Sequence, residues 1–292
     1  MSQSAARRCL AILELLAGRT EGAMLTEICS SLKIPKSIAH RLLCLLIESG
    51  FVKQDGGSSR YLLTLKLTTL GLRHYVRTGI DDLAQPVLDQ LASETGELAR
   101  LAVVEGERLI WVAKAQGART GLRYDPDVDH DTGHDVVLHA TATGKAWLAT
   151  LPEMDALRIV SNTGFKKPER SGRNVVRSQR EFQRLLRSTR TRGYGEAVEE
   201  GEPGTAAVAV AVLASEFNDS RTVATISLAG PVTRLTLERR QALAKQLSRA
   251  AKELAAIWPS RGKPALRATR APQQAFTPQM ELRHGREKIP PV

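Results

Sequence analysis

Residues 25–64, LTEICSSLKIPKSIAHRLLCLLIESGFVKQDGGSSRYLLT, constrain this chain more than any other segment. Apolar residues recur at helical spacing on both sides of Lys33-Ile34-Pro35, and a proline suits the first turn of a helix. The first helix is predicted over 27–32, with Thr26 as N-cap and Glu27 favourably placed against the helix dipole. The second is predicted over 36–49. Ile38, Leu42, Leu45 and Leu46 form its apolar stripe, while Ser37, His40, Arg41 and Cys44 fall on the opposite face at i, i+3, i+4 and i+7. Gly50 ends it. Residues 51–54 and 60–64 then flank Asp55-Gly56-Gly57-Ser58-Ser59, a strong hairpin signal. Helix, tight turn, helix and hairpin make a winged helix-turn-helix, which lays its second helix in the DNA major groove. The candidate readers are Lys36, Ser37, His40 and Arg41, in the first two turns of that helix. Arg41 suits bidentate binding of guanine. Lys53 and Arg60, on the wing, are expected at phosphates. A face of this kind in isolation would be an ordinary solvated surface; its place after a turn and before a hairpin favours DNA.

The charge distribution agrees. The 292 residues carry 42 Lys and Arg against 31 Asp and Glu, a net +11. Residues 1–78 hold eleven basic against five acidic groups, and 259–292 hold seven against two, so the excess sits at the two ends. The length suits two domains with separate cores. Cys9, Cys29 and Cys44 have no metal-ligand spacing and read as reduced buried thiols. The longest uncharged apolar run, 206–214, is too short to span a bilayer, and the N-terminus lacks a leader pattern, so a cytoplasmic protein is expected.

Outside the opening stretch, helices are predicted over 4–17, 65–77, from an Asp81 cap to about Glu94, and over 139–149, 153–160, 177–192 and 237–257. Strands are predicted over 98–104, 109–115, 206–213 and 223–228. Phe182, Leu185 and Leu186 are expected to face inward. Loops rich in Asp and His (116–135) and in basic residues (164–174) intervene. The expected architecture is α+β, with helices around mostly antiparallel strands. The expected division is a DNA-binding domain over 1–64, a linker helix over 65–79, an effector-binding and oligomerisation domain over 80–258, and a disordered basic tail over 259–292.

Four ordered motifs carry a resemblance across residues 6–258. They are IPKSIAHRLL with the later GFV and RYLL; LHATATGKA at 138–146; RGY at 192–194, followed by Glu199-Glu200 and Pro203-Gly204; and ATISLAGPVTRLT at 224–236. The chain resembles the IclR family of bacterial transcriptional regulators. The resemblance implies an N-terminal winged helix-turn-helix, a linker helix and a C-terminal GAF-like effector domain. It also implies homodimers or homotetramers on palindromic double-stranded operators, modulated by a small organic-acid or aromatic metabolite. Where the family usually has Thr in the recognition helix this chain has Ile38, and a usual Gly after the wing is Thr64. By the same resemblance the effector pocket is lined at Ala142, Thr143 and Gly144, at Ala197 in place of an acid, at Ala207 in place of Cys, at Ser227, and at Ala229 in place of Ser. That set is less polar than the family pattern. It implies either a more apolar effector or a constitutive regulator whose second domain only assembles oligomers; a repressor is the expected role.

Other chemistry is weakly supported. Asp125, Asp127 and Asp129 match the start of a calcium loop, but His130 and Val136 replace its Gly and Glu, so no metal is expected. Gly144-Lys145 lacks the remainder of a phosphate loop. The small-residue turn at 139–144 is read instead as a wall for a carboxylate effector or as a structural turn. Glu199, Glu200 and Glu202 are read as structural acids, because neighbours on a regular strand face opposite ways. No Ser-His-Asp or Cys-His set is legible, so neither catalysis nor a cofactor is expected. Arg267, Arg270, Arg283, Arg286 and Lys288 in the tail either add non-specific DNA affinity or form a solvated extension.

Overall fold

The computed structural model describes residues 4–126, 132–165, 171–216 and 219–258. The tail, Asp127, Asp129, His130 and much of the 164–174 loop therefore lie outside the described residues. The first domain is built from α1 (Ala5–Ala17), α2 (Leu25–Leu32), α3 (Lys36–Glu48) and a hairpin of β1 (Val52–Gln54) and β2 (Tyr61–Leu63). Ser4 caps α1 by accepting from the Arg7 N–H. Thr26 is not the cap of α2. The helix starts two residues earlier than expected, at Leu25, and the Glu27 carboxylate reaches back to the Met24 N–H at 2.7 Å, half of a capping box. Lys33 makes the turn in a left-handed conformation (φ 53°), which directs α3 across α2. Ile12, Leu16, Ile28, Ile34, Ala39, Leu42, Leu43, Leu46, Val52 and Tyr61 form the core. Gly22, at φ 69°, is required where the chain pairs with β2, since a Cβ there would lie 2.6 Å from the Tyr61 carbonyl oxygen.

The apolar stripe of α3 differs from expectation. Leu43 and Ala39 are buried, whereas Leu45 is 49% exposed. Leu43 and Leu45, two residues apart, lie about 200° from each other round the helix, and the rotation set by Leu42 and Leu46 turns Leu43 inward and Leu45 out. Ile38 is half-buried against the core rather than presented to solvent. Thr64, where a Gly was the usual residue, gives its hydroxyl to the Gly50 carbonyl at 2.6 Å and accepts from the Lys66 N–H, so it ties the wing to the next helix.

That helix, α4 (Lys66–Thr78), buries no residue. Gly79 turns the chain into α5 (Ile80–Thr95); Asp81 lies inside α5 rather than capping it. The second domain is a five-stranded antiparallel sheet of β3 (Leu98–Glu105), β4 (Arg108–Gln116), β5 (Gly195–Val198), β6 (Thr205–Glu216) and β7 (Asp219–Pro231), in the order β4-β3-β7-β6-β5. Strand β5 was not foreseen, because four residues show too little alternation. One sheet face packs on α5 and α9 (Leu237–Ile257) through Ala99, Leu101, Val208, Val210, Ile226, Leu228, Leu247 and Leu254. The other packs on α6 (Ala142–Leu148), α7 (Glu153–Thr163) and α8 (Gln179–Arg192). Burial on both faces explains the unbroken apolar run at 206–214. Helix α6 begins three residues later than expected, since 139–141 form a turn, and Thr141 caps it through the Gly144 N–H at 3.0 Å. Phe182 and Leu186 point inward as expected, with Leu185 partly buried.

Candidate DNA-binding face and effector cavity

In the first domain Lys36, Ser37, His40 and Arg41 are all exposed on one side of α3, at its N-terminal half. The buried positions Ala39, Leu42, Leu43 and Leu46 fix the helix rotation that presents them. Arg41 has no hydrogen bond or ion pair among the described residues. His40 lies 3.8 Å from the Cys44 thiol one turn on. Lys53 is exposed on β1. Arg60 is different. Its guanidinium turns inward, donating to the Gly22 carbonyl at 3.1 Å and pairing with Glu27 at 3.3 Å. It braces the wing against α2, an internal contact that the sequence did not suggest. Arg60→Ala should cost about 1 kcal/mol or less of stability in denaturant melts, while Lys53→Ala should lower the slope of log affinity against log salt by about one unit for each copy of the chain bound. Equal loss of salt dependence in both variants would contradict this division.

In the second domain a cavity of about 70 Å³ lies between the sheet and α6. Ala142, Thr143, Ala197, Ala207, Ser227 and Ala229 line it, so six of the seven positions inferred from the sequence converge. They do so because Ala197, Ala207 and Ala229 are cross-strand partners on one sheet face, with α6 laid over them on Ala142 and Ala146. Gly144 does not line the cavity. It packs against Leu138, where a Cβ would meet backbone at 2.3 Å, and its N–H serves the Thr141 cap. Thr143 and Ser227 are each 2% exposed.

The cavity is more polar than those positions imply. Arg100, Trp111, Tyr124, Glu200 and Glu202 also line it, and none was singled out as a lining residue from the sequence. The Arg100 guanidinium stacks on Trp111 with its carbon 3.5 Å from the ring centroid. Tyr124 donates its hydroxyl to Glu202 at 2.9 Å. The signal for Arg100 was a charged residue inside an otherwise apolar strand, Leu98–Glu105, at the parity that faces away from α5 and α9.

Behind the cavity wall Lys145 is 1% exposed. Its amine donates to both Glu200 oxygens, at 2.6 and 2.5 Å, and to the Glu196 carbonyl at 2.9 Å. Burial pushes the Lys145 amine below, and the Glu200 carboxyl above, their usual ranges, against the pull each exerts on the other. The amine is thus committed to a carboxylate and not to a phosphate. Glu199 and Glu200 do not lie on a strand: β5 ends at Val198 and Glu199 adopts φ 51°. Glu199 turns outward to Arg173 while Glu200 turns in. Across the sheet, fully buried Glu97 binds Arg234 at 2.6 and 2.8 Å, joining the start of β3 to the segment after β7. Among the described residues no cluster of three or more ligating side chains could hold a metal, and no helix is long and apolar enough to cross a membrane.

Comparison with known proteins places both halves. Residues 5–56 match the profile of the IclR helix-turn-helix domain, and residues 73–256 match that of the bacterial transcriptional regulator IclR C-terminal domain. The glycerol operon regulatory protein of Streptomyces coelicolor is 30% identical over 236 residues, covering 79% of this chain and 86% of that protein. The transcriptional repressor IclR of Escherichia coli is 27% identical over 250 residues, covering 85% and 87%. A crystal structure of an IclR transcriptional regulator from Alicyclobacillus acidocaldarius, 26% identical, superposes with a TM-score of 0.72 over 89% of this chain and all of that one.

Proposed function

Because the chain belongs to the IclR family of bacterial transcriptional regulators, a family of DNA-binding proteins and not of enzymes, we propose that it is a cytoplasmic repressor whose hold on a palindromic operator is modulated by a small organic acid. The observation that carries this reading is the pairing, in one chain, of an exposed face on α3 with a cavity in the second domain. Lys36, Ser37, His40 and Arg41 enter the major groove, Arg41 at a base edge, and Lys53 holds a phosphate. Two chains read two half-sites about one helical turn apart. Support for a homodimer comes from α4, which buries nothing of its own and exposes Leu67, Leu70, Leu72 and Val76.

Regulation follows from linkage. A ligand that fits the cavity better in one arrangement of the second domains shifts the spacing of the two α3 helices by its differential affinity alone. The test is fluorescence anisotropy with DNA from the chain's own promoter region, followed by release with a panel of organic acids. Sequence-specific binding that some acid releases is the expected outcome. Specific binding that no metabolite alters would leave the constitutive alternative, which the alanines at 197, 207 and 229 favour, and absence of specific binding would overturn the reading.

A further inference from the structure

We propose that His40 and Cys44 of α3 form a two-ligand site for a thiophilic cation such as zinc, and that filling it takes His40 off the DNA-reading face. Cys44 is expected from the sequence to be a buried thiol with no ligand near it. It is only half-buried, and its sulfur lies 3.8 Å from Nδ1 of His40, one turn earlier. Residues i and i+4 share one face of a helix, the spacing by which paired helical ligands grip zinc. A tetrahedral cation bonded to nitrogen at about 2.0 Å and to sulfur at about 2.3 Å spans about 3.5 Å between them, so a small rotation of either side chain closes the gap. The two ligands stand on one regular helix whose rotation is fixed by Ala39, Leu42, Leu43 and Leu46, so their spacing does not depend on a loop.

The donor set selects the ion. Thiolate with imidazole suits zinc and copper, whereas magnesium and calcium seek oxygen ligands. Lys36 and Arg41, exposed in the same half of α3, repel any cation that sulfur does not hold. Neither His40 nor Cys44 makes another hydrogen bond or ion pair among the described residues, so no such bond has to break. Binding sends the thiol proton to solvent and leaves a thiolate and a neutral imidazole on the metal. His40 is exposed, which leaves the remaining positions of the ion to water. Two protein ligands are fewer than a resident zinc takes, so the site responds to metal in excess instead of keeping a permanent ion. The consequence for DNA rests on the preceding reading of His40: a hydrated cation on its ring blocks the base or phosphate it would reach.

The experiment uses the full chain, reduced and stripped of metal, with cobalt(II) as the spectroscopic probe and zinc as the ion tested on DNA. Cobalt should give a thiolate-to-metal absorption band that saturates at one ion per chain and that zinc abolishes. Cys44→Ser should remove the band. His40→Ala should weaken cobalt binding by roughly tenfold or more, because the helix holds the imidazole at a high effective concentration beside the sulfur. Fluorescence anisotropy then reads operator affinity with and without zinc. Zinc should weaken binding by the wild type and leave that of Cys44→Ser unaltered. Circular dichroism checks that each variant folds, and His40→Gln takes the place of His40→Ala if the latter does not. The site is overturned by the absence of a band, by a band that survives Cys44→Ser and so belongs to Cys9 or Cys29, or by cobalt affinity indifferent to His40. A band that needs both residues, with operator affinity that zinc leaves unchanged, overturns the effect on DNA alone. The spectral arm needs no DNA, so a chain that binds no operator fails the preceding reading without touching the metal site.

Discussion

Lys145→Met should destabilise the second domain by about 3–5 kcal/mol, since it leaves Glu200 buried without its counterion. In a domain of this size that corresponds to a fall in melting temperature of roughly 10 °C. The pair is not thereby a large net stabiliser. Burial disfavours the charged form of both groups, so removing both should be far milder than removing one. The double variant Lys145→Met with Glu200→Leu is expected to regain most of the loss. Chemical denaturation of the two single variants and the double closes a cycle whose coupling measures the pair.

The same pair predicts a pH signature. In Glu200→Gln, Lys145 stays buried with no carboxylate to hold its proton, and burial then depresses its folded-state pKa further. A lysine with a folded pKa below its unfolded value binds fewer protons when folded. Its contribution to stability is therefore present above the unfolded pKa, near 10.4, and is lost as pH falls through the folded pKa. Glu200→Gln should become less stable as the medium is acidified from alkaline toward neutral pH. The wild type should be nearly flat there, because the ionised pair and its proton-transferred neutral form hold the same number of protons. A flat profile in Glu200→Gln would show that water reaches Lys145 and that the wall is open.

What was legible in the sequence follows from how far apart the cooperating residues lie. The first domain could be read closely because its signals are local. The Lys33-Ile34-Pro35 turn, the alternating faces of α3 and the Asp55–Ser59 hairpin each fit within a few residues. The errors there are of packing. Leu43 or Leu45 is chosen by neighbours on α1 and the wing, and Arg60 finds Glu27 across 33 residues. In the second domain the strands were found but β5 was not, and the polar half of the cavity was missed. Arg100, Trp111, Tyr124 and Glu200 come from separate segments whose convergence depends on the strand order β4-β3-β7-β6-β5. The family positions were legible only by resemblance, and they happen to be the small residues of the cavity floor. Gly144, included with them, answers instead to the close approach of the Leu138 backbone.

Arg41→Ala should weaken operator binding by about 1–3 kcal/mol for each base contact removed, and so by roughly 2–6 kcal/mol when a dimer loses it in both half-sites. The effect should leave stability nearly untouched, within about 0.5 kcal/mol, because Arg41 is exposed and has no partner among the described residues. That separation makes the variant informative. Most residues of a helix this short touch the core, and a lost affinity then mixes misfolding with lost contacts. Ile38 shows the difficulty: it is half-buried, so replacing it to restore a hydroxyl would disturb the packing of α3 as well as its surface. Arg41 and Lys36 avoid it, and they should part company on mutated operators. If Arg41 reads a base, Arg41→Ala loses discrimination at one symmetric pair of positions and binds non-specific DNA almost as before. Lys36→Ala should weaken all sequences alike and flatten the salt dependence. Anisotropy titrations on the operator, a single-position operator series and unrelated DNA, each repeated over a range of salt concentrations, read all three. Uniform weakening by Arg41→Ala would move Arg41 to the phosphates, and unchanged binding would remove it from the interface, leaving Ser37 and His40 as the readers on that face.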